Sequence, residues 1–374
     1  MARSVDDLWF DERVCPLSIG VFRVKSEDSV VCCRLILAGV VFLLVGSTSS
    51  IPFAKAGEVQ DDLSAKPLRA GIIGLDTSHV VAFTQLLNAA SPKPAVAGVR
   101  VVAAYPGGSP DIPSSRDRVA GYTKDLHDKF NVAIVGSIDE LLAQVDVVLL
   151  ESVDGRPHLE QARPVFKAHK PVFIDKPIAG TLADAVAIFD LARETNTPCF
   201  SSSSLRFGAG VAAIQNNAKV GDIIGCDVYG PCSLEAHHPD LFWYGIHGAE
   251  TVFTILGTGC QSVSRTQTES TELVAGVWND GRVGAFRGMR KGPYKYGGTV
   301  FGTKGNTLVG DYGGYEPLVV EIVKFFKTGK PPVSADETLE IYAFMEAADE
   351  SKRQGGKPVT IESVLTKTKK QLAR

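Results

Sequence analysis

Residues 171–180 read PVFIDKPIAG, and how this stretch is read decides the fold. Val172, Phe173 and Ile174 form an apolar run that ends in Asp175, Lys176 and Pro177, and residues 181–194 then carry a helical pattern. That order puts Lys176 at the carboxyl end of a parallel strand, the edge at which open α/β sheets bind their ligands. A proline also pushes the residue before it out of the α region, which holds the Lys176 ammonium at the strand end. A surface lysine closing a strand is the plain alternative on local grounds.

Upstream, the pattern repeats. Residues 68–75 (LRAGIIGL) predict a strand that runs into Asp76, Thr77 and Ser78, residues suited to capping a helix over 80–88. A second strand at 99–104, a Pro/Gly-rich loop at 105–113, a helix at 117–128 and a short strand at 133–135 follow. Ser137 caps a helix over 138–144, residues 145–151 (VDVVLLE) are apolar enough for a strand buried on both faces, and 158–168 are helical. Strands alternating with helices at this spacing predict a Rossmann-like doubly wound parallel sheet over residues 68–199. Where the first strand meets its helix, free backbone N–H groups converge into an anion site made by Gly74, Asp76, Thr77, Ser78 and His79. Glu151 and Asp175 end two further strands of the same edge.

From residue 200 the pattern changes. A strand at 200–204 and a helix at 210–217 lead into strand-like runs at 223–229, 262–267, 272–278, 283–287, 296–302 and 306–309, separated by Gly, Asn and Asp turns. They predict an α+β domain over residues 200–374 with a mainly antiparallel open sheet, closed by helices over 316–328 and 336–353. Residues 235–256 (EAHHPDLFWYGIHGAETVFTIL) are the richest polar segment of this half. His247 begins an amphipathic helix there, and Gly245 leaves room for a ring to approach.

The chain has 374 residues, enough for two domains, with 44% hydrophobic and 22% charged residues. A net charge of −3 with scattered basic residues gives no reason to expect a nucleic-acid partner. Residues 35–45 (LILAGVVFLLV) follow Arg34 and precede Ala54-Lys55-Ala56, the features of a secretory signal cleaved after Ala56. The apolar run falls short of the about 20 residues of a membrane span, so export to the periplasm is expected, with no stable membrane anchor; tethering through an uncleaved signal is the alternative. The charged head of that segment points to a translation start near Val30, and residues 57–67 read as a linker. Cys199, Cys226, Cys232 and Cys260 remain after cleavage and read as buried free thiols, with no C-x-x-C spacing for zinc.

The order GIIG, DGRPHLEQA, KPVFIDKPIAGT, SLRF and YGIHG resembles the glucose-fructose oxidoreductase and inositol dehydrogenase (Gfo/Idh/MocA) family from about Arg69 to the end of the chain. The resemblance implies an NAD(P)-dependent oxidoreductase acting on a CH–OH group of a sugar, cyclitol or related polyol. Asp175-Lys176-Pro177 matches the family's E-K-P motif, whose lysine faces the nicotinamide and the substrate hydroxyl, and His247 matches the histidine of its D-x-x-x-H motif, the acid/base. His158 stands where the family commonly has a histidine, and capping its helix is the other reading. A homo-oligomer, paired through the open face of the second sheet, is also implied.

The sequence departs from the family at three places. The phosphate loop G-x-G-x-x-G reads Gly74, Leu75, Asp76, Thr77, Ser78, His79, so only the first glycine stands and Asp76 puts a negative charge beside an anion. The Coulomb cost is about 1 to 4 kcal/mol, depending on how wet the site is. No acid ends the second strand to hold a ribose, and Asp111 is a poor substitute by position. The aspartate expected four positions before His247 is Trp243, an apolar face suited to stacking on a sugar. The site expected is therefore Lys176, His247 and His238 for catalysis; Gly74, Asp76, Thr77, Ser78, His79, Glu151, Asp175 and Lys176 for NAD or NADP; and Arg206, His237, Asp240, Trp243 and Tyr244 for a carbohydrate-like substrate. A metal ion is not expected at His237, His238 and Asp240. Free nicotinamide cofactors are scarce outside the cytoplasm, so a second reading stands beside the first: a sugar lyase, hydrolase or carbohydrate-binding protein that no longer turns over NAD(P).

Overall fold

The continuous apolar runs of the first half form a six-stranded parallel sheet in the order β3-β2-β1-β4-β5-β6. Its strands are β1 (Leu68–Ile73), β2 (Val99–Tyr105), β3 (Ala133–Ile134), β4 (Val147–Leu150), β5 (Val172–Ile174) and β6 (Cys199–Phe200). The computed structural model describes residues 66–214, 217–293 and 295–373; the expected signal and most of the linker lie outside them. The described residues belong to one compact unit. The connecting helices are α1 (His79–Leu87), α2 (Pro113–Phe130), α3 (Ile138–Leu142), α4 (His158–Lys167) and α5 (Leu182–Glu194). Their ends follow local chemistry: Ser137 Oγ accepts the Glu140 N–H at the start of α3, and Thr181 Oγ1 accepts the Asp184 N–H at the start of α5. Helix α2 is longer than expected because Pro113 opens it and Asn131, at φ +53°, closes it. Ser78 precedes α1 but its side chain caps nothing.

After β6 the chain makes a 3-10 turn at Ser204–Phe207, where a strand to 204 was expected, and a short helix α6 (Ala209–Ala212). The second sheet has the order β12-β11-β7-β10-β9-β8-β13. Its strands are β7 (Ile223–Pro231), β8 (Cys260–Gln267), β9 (Thr271–Trp278), β10 (Val283–Met289), β11 (Gly297–Gly302), β12 (Asn306–Val309) and β13 (Val359–Thr360). All its pairs are antiparallel except β7 with β10. Helices α7 (Ile246–Leu256), α8 (Glu316–Thr328), α9 (Ala335–Arg353) and α10 (Ile361–Leu372) complete the chain. Helices α7 and α9 cover one face of the second sheet. A Cβ on Gly248 would lie 2.0 Å from the Phe286 ring, so the close seating of α7 requires glycine there. The four described cysteines are buried thiols.

The closing helices do not all serve the second sheet. Leu318, Val319, Ile322, Val323 and Phe325 of α8 share one core with Ile72, Val80, Phe83, Phe173 and Phe200, so α8 returns to cover the parallel sheet beside α1. The two halves also join at the strand end that holds Lys176: the Ile178 N–H donates to Tyr342 Oη of α9 at 2.6 Å. The Lys176-Pro177 bond is cis. The other face of the second sheet leaves Tyr229, Leu273, Val277, Val283 and Leu308 exposed.

Phe325 is fully buried between α8 and the parallel sheet. Phe325→Ala is expected to lower unfolding free energy in urea by about 3 to 5 kcal/mol; a loss below about 1 kcal/mol would mean that α8 is not part of that core.

Candidate active site

The carboxyl ends of β1, β4 and β5 gather three carboxyl groups, the His79 imidazole and the Lys176 side chain. Asp175, at the end of β5, accepts the Lys176 N–H at 2.8 Å through Oδ1 and pairs through Oδ2 with His79 Nδ1 at 2.6 Å. Burial pushes the Asp175 carboxyl up, but His79 and Lys176 outweigh it and hold the group below the usual carboxylate range. His79 begins α1, stacks on Phe83 and meets the edge of Tyr315 at 4.6 Å. Glu151, one residue past β4, is fully buried, and neither carboxyl oxygen has a hydrogen-bond partner among the described residues. Burial first, then the charges of Asp175 and Asp76, pushes this carboxyl well above its ordinary value, which favours its protonated form.

The second half approaches from α7. A single π turn, Leu241–Gly245, precedes it and turns Tyr244 toward the first sheet. The Lys176 ammonium lies 5.5 Å from the Tyr244 ring centre, and Tyr244 meets the His247 ring edge-on at 5.5 Å. His247 is buried, and its Nδ1 lies 2.7 Å from Ser203 Oγ. Burial, then the charges of Lys176 and His79, holds this imidazole well below its ordinary pKa, so it is neutral. Tyr296, Tyr312 and Tyr315 continue the series: His247 to Tyr296 at 5.9 Å, Tyr296 to Tyr312 at 6.3 Å, Tyr312 to Tyr315 at 6.0 Å, and Tyr315 back to His79. Lys176 and His247 thus belong to one closed circuit of neighbours, walled by four tyrosines. Burial raises the phenols of Tyr296, Tyr312 and Tyr315, so they remain neutral donors. Of these, Tyr244 was expected at the site, and Tyr296, in a Gly-rich segment that could rim the cleft, read more simply as an exposed loop residue; Tyr312 and Tyr315 carry no local signal.

The remaining expected residues take other places. Arg206 is held by Glu250 and Glu337, both at 2.7 Å, and is not a free substrate contact. Glu250 also accepts the Ser203 N–H at 2.7 Å, so Arg206 fixes the turn that offers Ser203 to His247. Asp240 pairs with Arg265 at 2.9 Å and Lys352 at 2.6 Å and secures its loop instead of facing a substrate. His238 is not in the circuit: its Nε2 lies 3.0 Å from Asp154, and its ring leans on Trp243 at 4.9 Å. His237 is bound to Glu235 at 2.7 Å, with Asp111 at 3.6 Å. Asp154 further accepts Ser109 Oγ and the Arg156 guanidinium, which also grips Asp111 at 2.9 Å. Trp243 and these residues form a separate polar cluster that joins the loop after β2, the loop after β4 and residues 235–243. Gly245 gives no opening to a ring, since a Cβ there would meet Leu241 at 2.8 Å and Cys232 at 3.2 Å. His158 is fully buried, with Nε2 2.8 Å from the Ser152 carbonyl and Nδ1 3.2 Å from that of Ile178, a structural tie between two strand ends.

The fit of a dinucleotide turns on the loop after β1. Gly74 has φ +90°, and a Cβ there would lie 2.3 Å from Ser152 Oγ, so the tight turn is in place. The strand order reverses between β1 and β4, where such ligands bind. At the second glycine position, however, the buried Asp76 carboxylate reaches across that reversal, accepting the Val153 N–H at 2.9 Å and Ser115 Oγ at 2.6 Å. Burial raises this carboxyl, and the two hydrogen bonds offset only part of the shift. Thr77 Oγ1 stands 3.5 Å from the His79 N–H, and Ser78 is exposed. The loop after β2 folds inward, and a Cβ on Gly107 would lie 3.3 Å from Gly74. The frame for the cofactor is therefore present, while its pyrophosphate position is faced by carboxyl groups.

Residues 111–202 match the GFO_IDH_MocA family model, described as "Oxidoreductase family, NAD-binding Rossmann fold". The matched span begins after the loop carrying Asp76. A search of curated proteins found no match. Among solved structures, a probable dehydrogenase from Thermotoga maritima is 20% identical with TM-score 0.65, over 79% of this chain and 100% of the other. A putative myo-inositol dehydrogenase from Sinorhizobium meliloti 1021 is 17% identical with TM-score 0.64, over 79% and 99% of the two chains. An oxidoreductase from Agrobacterium radiobacter, solved with NAD+, L-tartaric acid and magnesium, is 15% identical with TM-score 0.64, over 80% and 100%. At these identities the likeness speaks for the shared two-domain fold. Among the described residues, no helix is long and apolar enough to cross a membrane.

Because the folded value of Glu151 is raised above its unfolded value, the native state binds the extra proton in the window between them, and stability falls as pH rises through that window. Denaturant titration across pH is expected to show Glu151→Gln gaining stability relative to the wild type as pH rises; a difference constant with pH would contradict a neutral Glu151.

Proposed function

We propose that this chain, whose residues 111–202 match the Gfo/Idh/MocA oxidoreductase family model, oxidises a hydroxyl-bearing carbon of a sugar, cyclitol or related polyol, or reduces the corresponding carbonyl. The observation that carries the reading is the placement of Lys176 and His247 on the two sides of Tyr244. A bound NAD or NADP supplies the hydride acceptor or donor. The Gly74 turn, the start of α1 and the end of β5 at Lys176 are the parts of the chain that would hold it.

The chain's own groups divide the remaining work. The Lys176 ammonium binds the substrate oxygen and favours its alkoxide character as the C–H bond opens. We assign the Nδ1 proton of His247 to the bond with Ser203 Oγ, which leaves the Nε2 lone pair to take the hydroxyl proton. The phenol hydroxyls of the circuit donate to further substrate oxygens, and their ring faces accept its C–H surface. Asp175 and His79 hold the strand end at which Lys176 is presented.

A second reading, a sugar-directed lyase, hydrolase or binding protein without NAD(P) turnover, is favoured by the carboxyl groups at the pyrophosphate position. Titration of the mature protein with NAD and NADP separates the two, since the second reading requires no saturable binding. Export of the mature chain belongs to the same proposal; the signal it rests on lies in residues 1–56, and amino-terminal sequencing of the secreted protein tests it. The exposed apolar face of the second sheet fits a second copy of the chain, because residues from β7, β9, β10 and β12 form it and no helix among the described residues covers it. Light scattering is expected to give twice the chain mass or more, and Leu308→Lys, at an outward position that is 75% exposed, to lower it; a monomeric wild type would contradict this.

Lys176→Ala is expected to reduce turnover by about 10²- to 10⁴-fold with an unchanged unfolding transition, because the side chain is half-buried and supports little core. Retention of more than a tenth of wild-type activity would remove Lys176 from the reacting centre.

A further inference from the structure

We propose that dinucleotide binding to this crevice is coupled to proton uptake by the Asp76 and Glu151 carboxyls, with Asp76 the residue that sets affinity and its pH dependence. The proposal rests on the oxidoreductase reading and concerns how the same site is regulated. Its ground is the geometry of the switch point. The Asp76 carboxylate ties three segments together: the loop after β1, the start of α2 through Ser115, and the loop after β4 through Val153. Glu151 lies beneath them, fully buried, with both oxygens unpartnered. Asp175 is the third carboxyl of the group.

The charges facing the Asp76 and Glu151 pair do not neutralise it. From the β5 side, His79 is committed to Asp175 at 2.6 Å, and Lys176 lies against Tyr244. From α4, His158 is buried between two carbonyl oxygens, and burial holds it below its ordinary pKa. From the loop after β4, Arg156 is occupied by Asp154 and Asp111. From α2, the Ser115 hydroxyl donates to Asp76. A pyrophosphate laid on the α1 start therefore meets carboxyl groups where the glycine-rich loop of a dinucleotide site presents bare backbone.

Like charges brought together raise carboxyl pKa values, so an arriving diphosphate favours the protonated forms of both Asp76 and Glu151. By reciprocity, protonation of the pair strengthens binding of the diphosphate. The sign follows: affinity rises as pH falls, up to about tenfold per pH unit where one whole proton is taken up. Asp76→Asn removes the charge and keeps groups able to meet both Val153 N–H and Ser115 Oγ.

The test is calorimetric titration of the full-length mature protein with NAD+ between about pH 5.5 and about pH 8, in buffers of different ionisation enthalpy so that protons are counted. The wild type is expected to bind more tightly at the lower pH with net proton uptake. Asp76→Asn is expected to bind at least about tenfold more tightly at the higher pH, with a flatter pH profile and a smaller proton count. Glu151→Gln, a second variant in case Asp76→Asn does not fold, is expected to lose part of the pH dependence. Binding that is flat with pH, with no gain in either variant, overturns the coupling and leaves the oxidoreductase reading standing. No saturable binding by the wild type or either variant at any pH overturns both.

Discussion

The structure depends on placing ionisable groups in a dry crevice, where each fixes the charge state of its neighbours. At the ends of β1, β4 and β5, burial acts against every charge, and only paired groups keep theirs. Asp175 is held toward the carboxylate because His79 and Lys176 serve it; Glu151, equally buried and without a partner among the described residues, is pushed toward its protonated form. On the facing side, burial first and then the charges of Lys176 and His79 hold the His247 imidazole well below its ordinary pKa. Two unit charges separated by about 5 Å interact by about 3 kcal/mol at an effective dielectric of 20, enough to set the protonation of a partner.

That arrangement is held by packing. The Ile178 N–H bound to Tyr342 fastens the Lys176-Pro177 segment to α9, while Gly248 lets α7 sit against Phe286 and carry His247 inward. Arg206, expected as a substrate contact, forms with Glu250 the brace behind Ser203. Helix α8 adds a constraint from the other side: it comes from the carboxyl-terminal half yet completes the core over the parallel sheet, and the loop before it supplies Tyr312 and Tyr315. The two domains therefore share their closing elements, and the crevice between them is built by both.

Much of this was legible in the sequence where periodicity and capping decide structure. The alternation of strands and helices, the strand ending at Lys176 and the amphipathic helix carrying His247 follow from local patterns, and the parallel and open sheets stand as expected. Long-range partners were not legible. Nothing near residue 79 indicates that its imidazole meets a carboxylate 96 positions away, and nothing near Asp240 or His238 indicates that Arg265, Lys352 or Asp154 claims them. The Asp76 substitution was visible as a lost glycine and an added charge; that its carboxylate spans the switch point was not, because side-chain direction is settled by Ser115 and Val153. The aromatic circuit was hidden for the same reason.

The central claim is that Lys176 and His247 share one desolvated crevice, and the most direct measurement is the titration of the His247 imidazole by NMR in the wild type and in Lys176→Met. The account predicts that His247 stays neutral well below its ordinary range in the wild type and that its pKa moves upward when the ammonium is removed. An ordinary His247 titration, unchanged by the substitution, would contradict it.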